Sequence, residues 1–225
     1  MKRLIATRAD ENVDDFKNLT HPYLKKYAEK YNADFLALND KKDLHRHYMI
    51  LQFYDLFDKY DSILSVDTDV IITNRCEDIF EISEGKICSI FEDKGTRKED
   101  RRNRIKLVQE KFGDVGWKKN YINTGFALFH KEYRDIFEPK KSEELWMDLG
   151  YDDVWLGYQI HKKGYKIKEL SPEYNFMSMF QESWSKMSKS EAKVIHYAGQ
   201  GFHINIDRVD EIRQDLTLFK KYGLL

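Results

Sequence analysis

Apolar and polar positions along the first 70 residues alternate between a short period and a helical one. Leu4 to Thr7 is a compact apolar run with the character of a buried strand, and the polar loop Arg8-Ala9-Asp10 follows it. Tyr23, Leu24, Tyr27, Ala28 and Tyr31 then recur at helical spacing behind Pro22. Proline's fixed φ suits a first helical position, so a helix is expected to start there. Asp34 to Leu38 predicts a second strand, ended by Asn39-Asp40. Met49, Ile50, Phe53, Leu56 and Phe57 fall on one face of an amphipathic helix. Ser62 to Val66 predicts a third strand, which stops at Asp67-Thr68-Asp69. Strand, helix, strand, helix, strand describes right-handed βαβ units and an α/β fold with a mostly parallel sheet. Ligands of such sheets bind beyond the carboxyl ends of the strands, where Asp67 and Asp69 fall.

The rest of the chain is less regular. The segment from Glu92 to Lys111 is crowded with charge and reads as a solvated helix or a mobile loop. Strand character returns from Asn120 to His130. Asp152 to Lys163 predicts a helix with Gly164 at its C-terminal cap. Val194 to Tyr197 predicts a last short strand, and Val209, Ile212, Leu216 and Phe219 mark a terminal helix. No internal repeat, low-complexity tract or linker interrupts the 225 residues, so a single domain is expected.

Composition narrows the function. Hydrophobic residues make up 41% and charged residues 34% of the chain, which places a sizeable core under an ionised surface. A formal net charge of -1, with acidic and basic residues interleaved, argues against a nucleic-acid binder. Cys76 and Cys88 belong to no CxxC pair, and reduced thiols in a cytoplasmic protein are expected. The apolar run after Met1-Lys2-Arg3 is too short for a signal peptide. No stretch approaches the roughly 18 apolar residues of a membrane span, so no transmembrane segment is expected.

Four constellations carry candidate chemistry. Asp67 and Asp69, at i and i+2 in extended chain, would point to one side and approach one hard cation such as Mg²⁺ or Mn²⁺. An ordinary strand-to-turn boundary would also hold aspartates, but the apolar strands on both sides leave such charges needing a partner. Asn123-Thr124-Gly125 could let backbone approach a ligand, with the Asn and Thr side chains facing sugar hydroxyls; a strand bulge is the plainer alternative. Asp152 and Asp153 open a helix, where a carboxylate is either an N-cap or a base kept ionised by the helix dipole. His196, before Tyr197-Ala198-Gly199, is either a satisfied core histidine or a group offering a ring nitrogen to a cation.

In this order, strand–helix–strand–helix–strand–DxD, then NTG, then an Asp-Asp pair opening a helix, then His-x-x-Gly, the chain resembles the GT-A-fold glycosyltransferases over nearly its whole length. ILSVDTDVIIT is similar to the DxD region of the group that includes glycogenin and bacterial lipooligosaccharide galactosyltransferases. NTGFALF is similar to that group's NTG segment, whereas DDVWLGYQIHKKGY is closer to the acidic helix of inverting GT-A enzymes.

The resemblance implies a GT-A-type Rossmann-like sheet flanked by helices, with a nucleotide-binding half over about residues 1–75 and an acceptor and catalytic half over about 76–225. It implies transfer of a sugar from a nucleotide-diphosphate sugar, UDP favoured, to a glycan or glycoconjugate hydroxyl. Asp69 and His196 would bind Mn²⁺ or Mg²⁺, and Asp67 the metal or the ribose. Ala6, Thr7 and Asp10 would line the nucleoside, and Asn123, Thr124 and Gly125 the sugar or acceptor, with Gly199 in the cofactor-binding turn. Asp153 would be the base of an inverting reaction, with Asp152 on sugar hydroxyls; a retaining enzyme would need no such base.

Two departures stand out. The group's basic residue before the DxD strand is replaced by His47-Tyr48-Met49-Ile50. Its lysine after His-x-x-Gly is missing from Gln200-Gly201-Phe202-His203, so diphosphate charge would fall on the cation or on an arginine of the charged middle segment. DTDVII also resembles the first motif of haloacid-dehalogenase-type phosphatases, with Asp67 as nucleophile and Asp69 as acid. That family usually opens its fold with the motif, whereas two strands and two helices precede it here. A catalytically inert sugar-nucleotide binder is disfavoured by the matched Asp67, Asp69 and His196.

Overall fold

A computed structural model describes residues 1–177, 186–199 and 207–225. The reading of Gln200 to His203 therefore lies outside the described residues. The elements that frame the fold are strands β1 (Arg3–Arg8), β2 (Ala33–Leu38), β3 (Ser62–Asp67), β4 (Val70–Ile72), β5 (Ile87–Ser89), β6 (Phe126–His130), β7 (Ile167–Glu169) and β8 (Val194–His196), and helices α1 (Asp14–Lys30), α2 (Phe53–Leu56), α3 (Ile79–Ile82), α4 (Lys98–Phe112), α5 (Tyr151–Lys162) and α6 (Arg208–Lys221). Six strands form one sheet in the order β2-β1-β3-β6-β5-β7, and β4 pairs with β8 in a separate two-stranded ribbon. β1 runs parallel to β2 and β3, and β5 parallel to β7, while β6 is antiparallel to both its neighbours. The sheet is thus mostly parallel, with helices flanking it and a single domain around it.

Two apolar layers hold the sheet. On one side Leu4, Ile63, Ala127 and Phe129 pack with Tyr48, Phe53, Phe57 and the α5 residues Val154, Leu156 and Ile160. On the other, Ile5, Leu64, Val66 and Leu128 pack with Leu24, Tyr27 and Ala28 of α1. A third cluster joins Ile71 and Ile195 of the ribbon to Ile212, Leu216 and Phe219 of α6. The alternation of Leu4 with Ile5 and of Ile63 with Leu64 between the two layers is the period-2 pattern of a sheet buried on both faces.

Two expectations are corrected, and a third, left open between helix and loop, resolves to helix. Helix α1 begins at Asp14, not behind Pro22, which lies inside it. Asp14 and Asp15 suit the first turn electrostatically, and buried Thr20, His21 and Leu24 carry the packed face across the proline. Burial of that face compensates for the single donor that Pro22 lacks. Over residues 46–57 the amphipathic helix is instead a 3₁₀ segment, Arg46–Gln52, running into the single turn α2. Tyr48, Met49, Ile50 and Leu51 are all buried, and four consecutive positions cannot share one face of an α-helix. The charged middle segment is a helix rather than a loop: α4 buries Arg101, Ile105 and Val108 along one stripe and exposes the charges on the other.

Candidate active site

At the carboxyl ends of β1 and β3, Arg8 and Asp67 are register partners. The chain leaves β1 towards β2 on one side and finds β3 on the other, so this pair marks the topological switch point of the sheet. A cleft of about 520 Å³ opens there. Its size is that of a small-molecule site.

Asp67, Asp69 and His196 converge on the cleft floor. His196 Nε2 lies 3.5 Å from Asp67 Oδ2 and 3.3 Å from Asp69 Oδ1. One candidate ligand atom from each of the three lies within 4.8 Å of the others. The two aspartates meet through a turn at Thr68-Asp69 rather than through extended chain. Thr68 holds that turn by donating to the Arg8 carbonyl and by accepting at its own carbonyl, 2.6 Å away, from Thr20 Oγ1. Behind the histidine, Nδ1 lies 2.9 Å from Asn175 Oδ1, and Asn175 Nδ2 donates to Asn123 Oδ1 at 2.8 Å. An amide oxygen only accepts, so Nδ1 carries the proton and Nε2 is the free nitrogen of the neutral ring.

This donor set fits a hard or borderline divalent ion, which takes carboxylate oxygens and one imidazole. The backbone is shaped for it too. A Cβ at Gly125 would stand 2.4 Å from His196 Cε1 and 2.8 Å from Asp67 Oδ2, so the NTG glycine leaves room for the cluster. In the metal-free protein burial alone would lower His196, but Asp69 and Asp67 push its pKa up to about 10. Burial alone would raise the Asp67 carboxyl, yet Arg8 and His196 hold it below the usual carboxylate range.

The hydrogen-bond chain continues away from the histidine. Asn123 Nδ2 donates to Glu92 Oε1 at 2.8 Å, while Glu92 Oε2 accepts from Arg97 at 2.8 Å and from Arg101 at 2.7 Å. Glu92 is only 1% exposed, so both guanidiniums supply the partners that a buried acidic side chain needs.

The two carboxylates of α5 have separate environments. Asp152 pairs with Arg8 and lies 3.5 Å from His47 Nδ1. Burial would raise its carboxyl, but Arg8 and His47 lower it. Asp153 accepts from the Thr124 amide at 2.7 Å. Burial, then Asp152 and Glu92, push its pKa up to about 8. The Thr124 hydroxyl lies 2.7 Å from Asp152 and 2.8 Å from Asp153, and its one proton serves only one of them at a time. The expectation of an ionised α5 carboxylate therefore fits Asp152, held by Arg8 and His47 rather than by the dipole, and not Asp153. Desolvation outweighs the dipole at the second position.

Of the residues singled out in the sequence, Asp10, Asp67, Asp69, Asn123, Asp153, His196 and Gly199 line the cleft. Thr124, Gly125 and Asp152 stand directly behind that wall. Ala6 and Thr7 do not reach it: each is 1% exposed, Ala6 within the apolar core and Thr7 beneath the Thr68 hydroxyl at 3.3 Å. Arg8, Arg46, Glu92, Asn175 and Arg208 were not singled out. For Arg8, a charge directly after an apolar strand was the available signal; Arg46, beside His47, carried none. Asn175 carries no such signal.

Comparison with known proteins decides the class. The family model described as glycosyl transferase family 8 matches residues 3–201. The chain belongs to glycosyltransferase family 8. This member is therefore a glycosyltransferase of GT-A type, and the phosphatase and inert-binder alternatives fall. No curated protein matches the family member in sequence. Solved structures share its fold. The apo structure of the bifunctional glycosyltransferase WbbM is 13% identical with a TM-score of 0.59, over 96% of this chain and 49% of that one. This chain thus spans about half the length of WbbM. A glycosyltransferase that acts in glycosylation of the major capsid of PBCV-1 is 11% identical with a TM-score of 0.58, over 94% and 100% of the two chains. The galactosyltransferase LgtC, solved with donor and acceptor sugar analogs, is 14% identical with a TM-score of 0.56, over 98% and 99%. Among the described residues, no helix is long and apolar enough to cross a membrane.

Proposed function

We propose that the cleft binds a nucleoside-diphosphate sugar, UDP-linked by preference, and passes the sugar to a hydroxyl of a glycan or glycoconjugate. Residues 1–75 supply most of the nucleotide side and residues 76–225 the acceptor side. Asp67, Asp69 and His196 would hold Mn²⁺ or Mg²⁺, and a divalent ion there supplies charge neutralisation for the diphosphate leaving group. The observation that carries this reading is the Nδ1 contact of His196 with Asn175, which leaves Nε2 facing two carboxylates. Asp10 and Gly199 would face the nucleoside and phosphates, and Asn123, with Thr124 and Gly125 behind it, the sugar.

The acceptor oxygen attacks the anomeric carbon as the bond to the β-phosphate oxygen breaks, the electron pair staying on that oxygen. A retaining course is favoured, in which the acceptor proton passes to the departing phosphate oxygen. Asp153 supports it: burial, Asp152 and Glu92 push its pKa up to about 8, which favours the protonated form at neutral pH over a free base. Asp152 is the ionised carboxylate and would bear on positive charge developing at the sugar ring. The second reading is inversion with Asp153 as base, favoured by the place of Asp153 in the cleft wall.

Incubation with Mn²⁺ and a panel of nucleotide sugars, followed by NMR of the transferred anomer, tests both. Hydrolysis or transfer of one donor with its configuration kept is expected. An inverted product moves the assignment to Asp153 as base, and a protein that neither cleaves nor binds any nucleotide sugar removes the reading altogether.

A further inference from the structure

Arg208 is the first residue of α6, directly after Asp207, whose side chain caps the helix by accepting from the Val209 amide at 2.8 Å. Its Nη1 donates to Asp69 Oδ2 at 2.9 Å and to the Tyr197 carbonyl at 3.1 Å. The guanidinium carbon stands 4.9 Å over the Phe16 ring, which fixes the plane of the group. The side chain lines the cleft and keeps 34% of its surface exposed. Among the described residues, Nη1 alone is engaged in hydrogen bonds, so Nε and Nη2 keep their donors for something else.

Three of the other cleft arginines are committed. Arg8 is bracketed by two carboxylates, Asp67 and Asp152. Arg97 and Arg101 hold buried Glu92. Among the described residues, Arg208 pairs with one carboxylate, Asp69, whose other oxygen faces His196 Nε2. Any cation on Asp67, Asp69 and His196 draws on that same carboxylate and loosens its hold on the arginine's charge.

We infer that Arg208 is a catalytic residue for the leaving group: it binds the diphosphate of the donor and stabilises the charge released as the glycosidic bond breaks. This rests on the proposed nucleotide-sugar chemistry. When the bond between the anomeric carbon and the β-phosphate oxygen breaks, the electron pair stays on the phosphate and the acceptor oxygen replaces it on carbon. A planar guanidinium with its Nε and Nη2 donors turned to the cleft matches a phosphate in geometry as well as charge. The chain thereby places a cation beside the diphosphate from α6, although no lysine occurs between Gln200 and His203.

Binding of the pre-formed Mn²⁺–pyrophosphate complex, followed by calorimetry, tests this without any sugar or nucleoside. The wild-type chain is expected to bind it. Arg208→Gln should weaken that binding by about tenfold or more, Arg208→Lys should recover part of it, and Mn²⁺ affinity should change much less in both. With an active donor, Arg208→Gln should also lower kcat by about 10²-fold, the scale of one lost oxyanion contact. Pyrophosphate binding unchanged in Arg208→Gln overturns the inference alone. An equal loss of Mn²⁺ affinity reduces Arg208 to a support for Asp69 and also overturns it. A wild-type chain that binds Mn²⁺ but no pyrophosphate removes the diphosphate-donor reading and this inference together.

Discussion

His196 Nδ1 and Asn175 Oδ1 lie 2.9 Å apart in a fully buried contact, and this one hydrogen bond decides which nitrogen of the ring faces Asp67 and Asp69. Asn175 itself is fixed by Asn123, so the orientation is set two residues deep.

Asn175→Leu removes the acceptor and frees the ring to turn. Loss of a partner that orients a ligating histidine typically costs 10- to 100-fold in metal affinity. We expect Mn²⁺ affinity to fall within that range while circular dichroism stays native. An Mn²⁺ titration giving the wild-type value would contradict the assigned tautomer.

The same cluster has a pH signature. Without a cation His196 has a pKa of about 10, above the value near 6.5 of an unfolded chain. A raised histidine pKa contributes stability that is complete below pH 6.5 and lost as the pH climbs through 10. The metal-free protein should therefore lose Tm between pH 7 and 10, and Mn²⁺ binding in that window should release a proton. Calorimetry in buffers of different ionisation enthalpy measures the released proton directly. A binding enthalpy independent of buffer would refute it.

Asp153 acts in the same direction with pH, over a lower window. Its folded pKa of about 8 exceeds the ordinary carboxylate value, so ionisation in the unfolded chain destabilises the fold increasingly as pH rises from about 4 to 8. Asp153→Asn keeps an acceptor for the Thr124 amide and removes this penalty. The variant should melt higher than wild type at pH 8 and at the same temperature at pH 3.5. If it melts lower at pH 8, the carboxylate is ionised in the fold and available as a base.

How far the sequence foretold this arrangement depended on how local each signal was. β1, β2 and β3 announced themselves because Leu4–Thr7, Asp34–Leu38 and Ser62–Val66 are runs bounded by polar residues. Asp67, Asp69 and His196 were legible because charges set between apolar strands need a partner, and because they follow the family's order of motifs. The 3₁₀ segment at Arg46–Gln52 was hidden, since burial on all sides erases periodicity. Asn175 and Arg208 were illegible for another reason: each acts through a contact with a residue distant in the chain, 21 positions away for His196 and 139 for Asp69. Asp153 was found, but its protonation was not, because its desolvation comes from packing that no local pattern records.

Such long reaches bear on how the molecule comes into being. The cluster draws Arg8 to Asp152 across 144 positions, Arg208 to Asp69 across 139 and Asn175 to Asn123 across 52. Closing loops of that length is slow, and non-local pairings form after local helices. During refolding, the helical signal of α1, α4 and α5 should therefore recover before any capacity to bind Mn²⁺. The cleft thus acts as a reporter of finished folding, and a chain truncated before β8 should keep much of its secondary structure while holding no ion at all.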